Sequence, residues 1–262
     1  MDWIYLSPHL DDAAYSCGGL IWMQSQSDQN VSIWTVFAGD SPGGSFSPFA
    51  ETIIKRWGLM DNPSKFRRNE DIRSCQILGA EWFHFDFPDA IYRIIPHNEA
   101  TTNNSSMNFL YPDEAALFGP VNQKESQLVG LIADQLMTEL KEKHSMDEFF
   151  FNKVQLVCPM GLGNHVDHQW SRIAAESLGL PLLYYADFPY AQYALDELHR
   201  MTRSEWKKML FRISQSGLTA WQNAIEAHQS QLNTFWSDKK EMQKNVSKYL
   251  EVMGGIPLWG SI

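Results

Sequence analysis

The chain has 262 residues, of which 44% are hydrophobic, 20% charged and 13% aromatic, enough apolar material for a large core and too much for a disordered, solvating segment. Thirty-one acidic residues against 21 basic ones leave a formal charge of −10, so the basic footprint that nucleic acid or anionic lipid requires is missing. Three scattered cysteines, Cys17, Cys75 and Cys158, exclude a disulfide framework and a metal knuckle, and no apolar run reaches the ~18 residues of a membrane span; one α/β domain over 1–262, cytoplasmic and not membrane-inserted, is expected.

In chain order, 3–7 reads as a short buried strand, 12–26 as a helix and 31–37 as a second strand. Three glycines and two prolines make 39–48 a loop. Phe66, Ile72, Cys75 and Leu78 have helical spacing, which predicts a helix over 64–78 capped by Gly79. A third strand over 81–87 is followed by a long polar insertion, 95–124, and by a helix over 126–143 built on Leu128, Leu131, Ile132, Leu136 and Leu140. A glycosylation acceptor match at Asn103 to Ser106 reads only as polar loop. A strand over 154–158, a helix over 167–178 closed by Gly179 and a strand over 182–185 complete the alternation. From about 190 to 262 the pattern predicts a helical extension, strongest over Trp221 to Phe235. The fold expected is α/β: a Rossmann-like, doubly wound, mostly parallel sheet with helices on both faces and a C-terminal helical extension.

Ligands of open α/β sheets bind beyond the carboxyl ends of the strands. The loop after the first strand reads Ser7-Pro8-His9-Leu10-Asp11-Asp12, and that after the fourth reads Gly161-Leu162-Gly163-Asn164-His165-Val166-Asp167-His168. Imidazole and carboxylate suit a catalytic zinc, which takes three protein ligands and keeps one open position. His9, Asp12 and His168 supply that set, and iron(II) could occupy it too. Asp11 then stands beside the metal as general base toward a zinc-bound water. His165, protonated, would stabilise an oxyanion or protonate a leaving amine, with Asp167 holding its tautomer. Asp11 and Asp12 alone would read as helix N-caps; with the histidines of a second strand end, the chemical reading is stronger. Gly18 and Gly19 read as close packing of the first helix on the sheet, and without a G-x-G-x-x-G a dinucleotide site is poorly supported.

The Ser-Pro-His-Leu-Asp-Asp run at 7–12 and His-Val-Asp-His at 165–168 resemble the two motifs of the PIG-L/LmbE-like zinc de-N-acetylases, in their His-Leu-Asp-Asp branch. Weaker matches are Arg67-x-x-Glu70, Pro88-Asp89-Ala90-x-Tyr92-Arg93, Tyr184-Tyr185-x-Asp187-x-Pro189-Tyr190-Ala191 and Ala227-His228-Gln229-Ser230-Gln231. The resemblance implies zinc on His9, Asp12 and His168, Asp11 as base, and His165 at the transition state. It also implies the reaction: removal of an N-acetyl group from an N-acetylated amino sugar, such as N-acetylglucosamine, or from a small glycoconjugate. Arg67, Asp89, Tyr92 and Arg93 are the substrate-binding candidates. Ala14 stands where many members have Glu, and the insertion has no clear family counterpart.

Two other readings compete. Gly39-Asp40-Ser41-Pro42-Gly43 matches the G-x-S-x-G of a serine hydrolase with Ser41 as nucleophile, although an elbow should run at once into a helix. A non-catalytic carbohydrate-binding protein could keep the same fold. Most of the ten tryptophans are expected in the core, and His228 is expected to make structural hydrogen bonds on a buried helix face.

Overall fold

The computed structural model describes residues 1–43, 46–59, 61–95, 109–144, 153–202 and 206–260. Five parallel strands form its centre: β1 (Asp2–Ser7), β2 (Asn30–Thr35), β3 (Glu81–His84), β4 (Val154–Pro159) and β5 (Leu182–Tyr185). Their spatial order is β3-β2-β1-β4-β5. Ile4, Tyr5 and Leu6 on β1 and Leu156, Val157 and Cys158 on β4 are all buried, as continuous apolar runs require in a sheet covered on both faces. The order reverses between β1 and β4, and there the loops diverge to leave a crevice beyond the strand ends.

Helix α1 (Asp12–Ser25) follows β1, α2 (Pro48–Trp57) and α3 (Pro63–Leu78) lie between β2 and β3, and α4 (Glu114–Leu117) and α5 (Ser126–Lys143) precede β4. Helix α6 (Val166–Ser177) joins β4 to β5, and α7 (Leu195–Met201) follows β5. Helix α2 was not expected; it starts at Pro48, where the Ser47 hydroxyl accepts the Ala50 N–H, an ordinary Ser-Pro start.

The extension beyond 190 is not wholly helical. Strand β7 (Ile256–Gly260) pairs antiparallel with β5, and β6 (Lys207–Phe211) pairs antiparallel with β7, giving β5-β7-β6. Between them lie α8 (Gln215–Ala227), α9 (Gln229–Phe235) and α10 (Lys239–Met253). The expected single helix from Trp221 to Phe235 breaks at His228, and α9 starts with the Ser230 N–H and hydroxyl both bonded to the Glu70 carboxylate of α3, at 2.9 and 2.6 Å. Helix α3 buries Arg67, Glu70, Asp71 and Ser74 beside Cys75 and Leu78, while Phe66 is 44% exposed. Its apolar spacing located the helix but misassigned the inward face.

Gly18 and Gly19 do serve packing, but against α8 more than the sheet. A Cβ on Gly18 would lie 2.6 Å from Cδ1 of the buried Trp221. Of the insertion, residues 96–108, including Asn103 to Ser106, lie outside the described residues; Tyr111 and Leu117 pack with Ala50, Ile54, Ile91 and Val166 in a second apolar cluster. All three cysteines are buried thiols. No helix among the described residues is long and apolar enough to cross a membrane.

Candidate active site

The turn from β1 into α1 is held by Ser7, whose hydroxyl donates to the His9 carbonyl at 2.5 Å and accepts the Ala13 N–H at 2.9 Å. Asp11 sits at the N-cap position, yet its carboxylate makes no capping bond. Asp12 Oδ2 accepts the backbone N–H of His9 at 2.8 Å. The N-cap reading therefore fails for both side chains: Ser7 serves the helix end, and the two carboxylates line a cavity instead.

The turn from β4 into α6 needs left-handed backbone at Gly161, Gly163 and Asn164. Gly163 is also confined by Tyr190, whose ring would be 2.8 Å from an added Cβ. The Gly161 and Leu162 N–H groups donate to Asp187 Oδ2 at 2.7 and 2.8 Å, and Asp187 Oδ1 lies 2.8 Å from His168 Nδ1. That fixes the tautomer of His168 and turns Nε2 inward, 3.3 Å from Asp12 Oδ2. On the other side, His9 Nε2 lies 3.0 Å from Asp167 Oδ2, and Nδ1 lies 3.2 Å from the same Asp12 oxygen.

Each imidazole thus has a buried carboxylate on its remote nitrogen and points the other nitrogen at a shared oxygen, the arrangement that orients histidine ligands of metals. Ligands at 2.0–2.2 Å from a tetrahedral ion are roughly 3.4 Å apart. The observed 3.2 and 3.3 Å separations fit. His9, His165 and His168 also bring ring nitrogens within 4.8 Å of one another, and a His9 nitrogen and carboxylate oxygens of Asp89 and Asp167 come equally close. Without an ion, burial opposes charge on His168, but Asp12 and Asp187 overcome it and raise its pKa to about 10. Burial would likewise raise Asp12, and the His168 and His9 charges instead hold it well below the carboxylate range.

Asp11 faces Arg67 Nη2 at 3.3 Å, and Arg67 Nη1 faces Asp89 Oδ2 at 3.4 Å. Burial lifts the Asp11 carboxyl to about 6 against the pull of Arg67, with Asp12 adding to the rise. His165, expected protonated, stands neutral, because burial and then the charge on His9 hold its pKa well below the ordinary value. Its Nδ1 accepts the Asp167 backbone N–H at 3.1 Å, which leaves Nε2 as the donor. The tautomer is therefore set by the backbone of Asp167, while its carboxylate serves His9.

The cavity has a volume of about 310 Å³. His9, Asp11, Asp12, His165 and His168 form its floor; Phe49, Ile53 and Trp57 of α2 line one wall, Leu117 and Phe118 a second, and Gln231 and Phe235 of α9 a third. Arg67 and Asp89 also line it. Tyr92 and Arg93 do not: both are buried, and Arg93 is engaged by Asp167 and Glu125, each at 2.6 Å. Ser41 is not among the lining residues, and the next described helix after it begins only at Pro48, so the nucleophile elbow is not formed. Asp187 is the residue that chemical reasoning on the sequence passed over. Its signals were a position two residues beyond β5 and a place in the weak motif match over 184–191.

A family model described as PIG-L, GlcNAc-PI de-N-acetylase, matches residues 4–251. Over 229 residues the chain is 26% identical to 2'-N-acetylparomamine deacetylase of Niallia circulans, covering 80% of this chain and 74% of that protein. It is 29% identical over 193 residues to the protein of the same name from Streptomyces fradiae, covering 72% of this chain and only 57% of the relative. A solved deacetylase of teicoplanin biosynthesis superposes with a TM-score of 0.77 at 24% identity, covering 99% of this chain and 96% of that one. The zinc-inhibited form of teicoplanin deacetylase gives 0.76 at 22% identity, covering 99% and 97%. With a match over nearly its whole length, the chain belongs to the PIG-L, GlcNAc-PI de-N-acetylase, family.

Proposed function

We propose that this protein is a metal-dependent hydrolase that removes the acetyl group from an N-acetylated amino sugar or small glycoconjugate. Water adds to the amide carbonyl, the C–N bond breaks, and acetate and a free amine leave. The observation that carries the reading is the convergence of His9 Nδ1 and His168 Nε2 on one Asp12 oxygen, with Asp11 beside it facing the cavity. A divalent ion held by His9, Asp12 and His168, zinc or iron(II), would supply Lewis acidity and lower the pKa of a water toward neutrality.

The chain's own groups do the rest. Asp11, with its pKa near 6, is ionised at neutral pH and close enough in basicity to take a proton from water and pass it to the departing amine. The Nε2–H of neutral His165 donates to the oxygen on which negative charge develops. Arg67 and Asp89 offer a donor and an acceptor to sugar hydroxyls, and the ring of Trp57 stands in the adjoining wall. Relatives named as N-acetylparomamine and teicoplanin-pathway deacetylases support an acetylated amino sugar as the substrate class.

The test joins metal analysis to an acetate-release screen over N-acetylglucosamine conjugates, with His168→Ala in parallel. Roughly one divalent ion per chain and acetate release that fails in His168→Ala are expected. A His168→Ala protein that binds metal as tightly as the parent would overturn the ligand assignment.

A further inference from the structure

We infer that Glu125 and Tyr111, at the C-terminal part and edge of the insertion, are positioning residues for His9, acting through Arg93 and Asp167. The inference rests on the metal site proposed above. Asp167 is fully buried; its Oδ2 accepts the Ala90 N–H at 2.9 Å and meets His9 Nε2 at 3.0 Å, while Oδ1 lies 2.6 Å from Arg93 Nη2. Arg93 Nε lies 2.6 Å from Glu125 Oε1, and Nη1 donates to the Pro88 carbonyl at 3.1 Å. Glu125 Oε2 accepts from the Tyr111 hydroxyl at 2.5 Å and from Trp170 Nε1 at 3.3 Å. The guanidinium lies 4.9 Å from the Phe37 ring centre and 5.3 Å from that of Tyr111. The two contacts of Arg93 with carboxylates are close but off hydrogen-bond alignment, so their attraction is Coulombic more than directional.

Charge decides what Glu125 does there. Asp167, Arg93 and Glu125 together carry one net negative charge, all of it buried. Without Glu125, Arg93 would neutralise Asp167; Asp89, 3.8 Å from His9 Nε2 but paired with Arg67, would remain, and the carboxylate in hydrogen-bond contact would orient the ring less firmly and make its inward nitrogen less basic. Buried charges cost several kcal/mol per ion unless paired, so the array is held to one arrangement. The insertion, which also lines the substrate cavity through Leu117 and Phe118, is thereby tied to a metal ligand.

Loss of outer partners of metal-ligating histidines weakens binding about 10- to 100-fold. Glu125→Gln, two residues removed from His9, should weaken Co²⁺ or Zn²⁺ binding about tenfold, and Tyr111→Phe about threefold, scaled from that range. Glu125→Asp should recover part of the loss. Affinity is measured on the folded protein by competition with a chelator, beside urea unfolding of the metal-free form. Asp113→Ala removes the hydrogen bond that caps 114–117, loosening the same segment without touching the array, and should keep parental affinity. A purely structural role for Glu125 would lower stability and leave metal affinity unchanged. Should Glu125→Gln fail to fold, Tyr111→Phe keeps every charge and carries the test. Parental affinity in the folded variants overturns the inference, as does equal weakening by Asp113→Ala. Parental affinity in His168→Ala instead overturns the metal site beneath it.

Discussion

Replacing Asp11 by Asn separates a residue placed for chemistry from one placed for stability, because the two roles predict changes of opposite sign. In the metal-free protein the Asp11 pKa rises from 3.8 to about 6. At about 1.36 kcal/mol per pKa unit, ionising it in the fold costs roughly 2–4 kcal/mol more than in the unfolded chain. A carboxyl with a raised folded pKa binds its proton more tightly in the fold, so its contribution to stability declines as pH climbs from about 4 to 6. Asn has nothing to ionise. It still offers a carbonyl to Arg67, which also keeps Asp89 at 3.4 Å and the Trp57 ring at 4.6 Å; weakening one charged hydrogen bond costs about 1–3 kcal/mol. The terms nearly cancel or favour Asn. Metal-free Asp11→Asn should therefore melt no lower than the parent at pH 7, with the advantage fading below pH 4. Acetate release should meanwhile fall by a factor on the order of 10² to 10⁴ with metal content unchanged. Scanning calorimetry from pH 4 to 8, metal analysis and acetate assays decide it. Retained turnover at full metal occupancy, or a stability loss well beyond 1 kcal/mol, refutes the assignment of Asp11 as base.

His228 is buried and its pKa is held near 3, first by burial and then by the charge on Arg67. Its unfolded form takes up a proton below about 6.5, so acidification from pH 7 to 5 should remove roughly 2 kcal/mol of stability; in urea titrations His228→Leu should flatten that slope, and an unchanged slope contradicts the assignment. Gly18→Ala drives a methyl to 2.6 Å from Trp221, an overpacking cost of about 1–3 kcal/mol that exceeds the gain of up to ~1 kcal/mol in helix propensity. Gly130→Ala on α5 meets nothing within 4 Å and should gain up to about 1 kcal/mol, so melting temperatures of the pair should move in opposite directions. Ser41→Ala should leave acetate release and chelator sensitivity as they are; abolished turnover would revive the serine-hydrolase reading.

The sequence by itself located the five parallel strands and the two loops that supply the cavity floor. Short apolar runs such as Leu182–Tyr185, too short for a helix, read as buried strands, and His9, Asp11, Asp12, His165 and His168 lie within a few residues of strand ends, where an open α/β sheet binds its ligands; the pairing of β1 with β4 then brings the two loops together. Tertiary structure decided which partner each polar group meets. Helix α3 turns Arg67, Glu70 and Asp71 inward because partners from Asp11, Ser230 and His84 await them, and periodicity, which reads apolar residues, assigns such a face to solvent. The tautomers of His9 and His168 depend on Asp167 and Asp187, and Asp187 comes from another strand end. Arg93 looked like a substrate contact until Glu125, 32 positions along, was folded against it. The last 70 residues read as helical because isolated strands such as β6 and β7 are short and become strands only through pairing with each other and with β5. Pairing of this kind depends on residues distant in the chain, which no local pattern records.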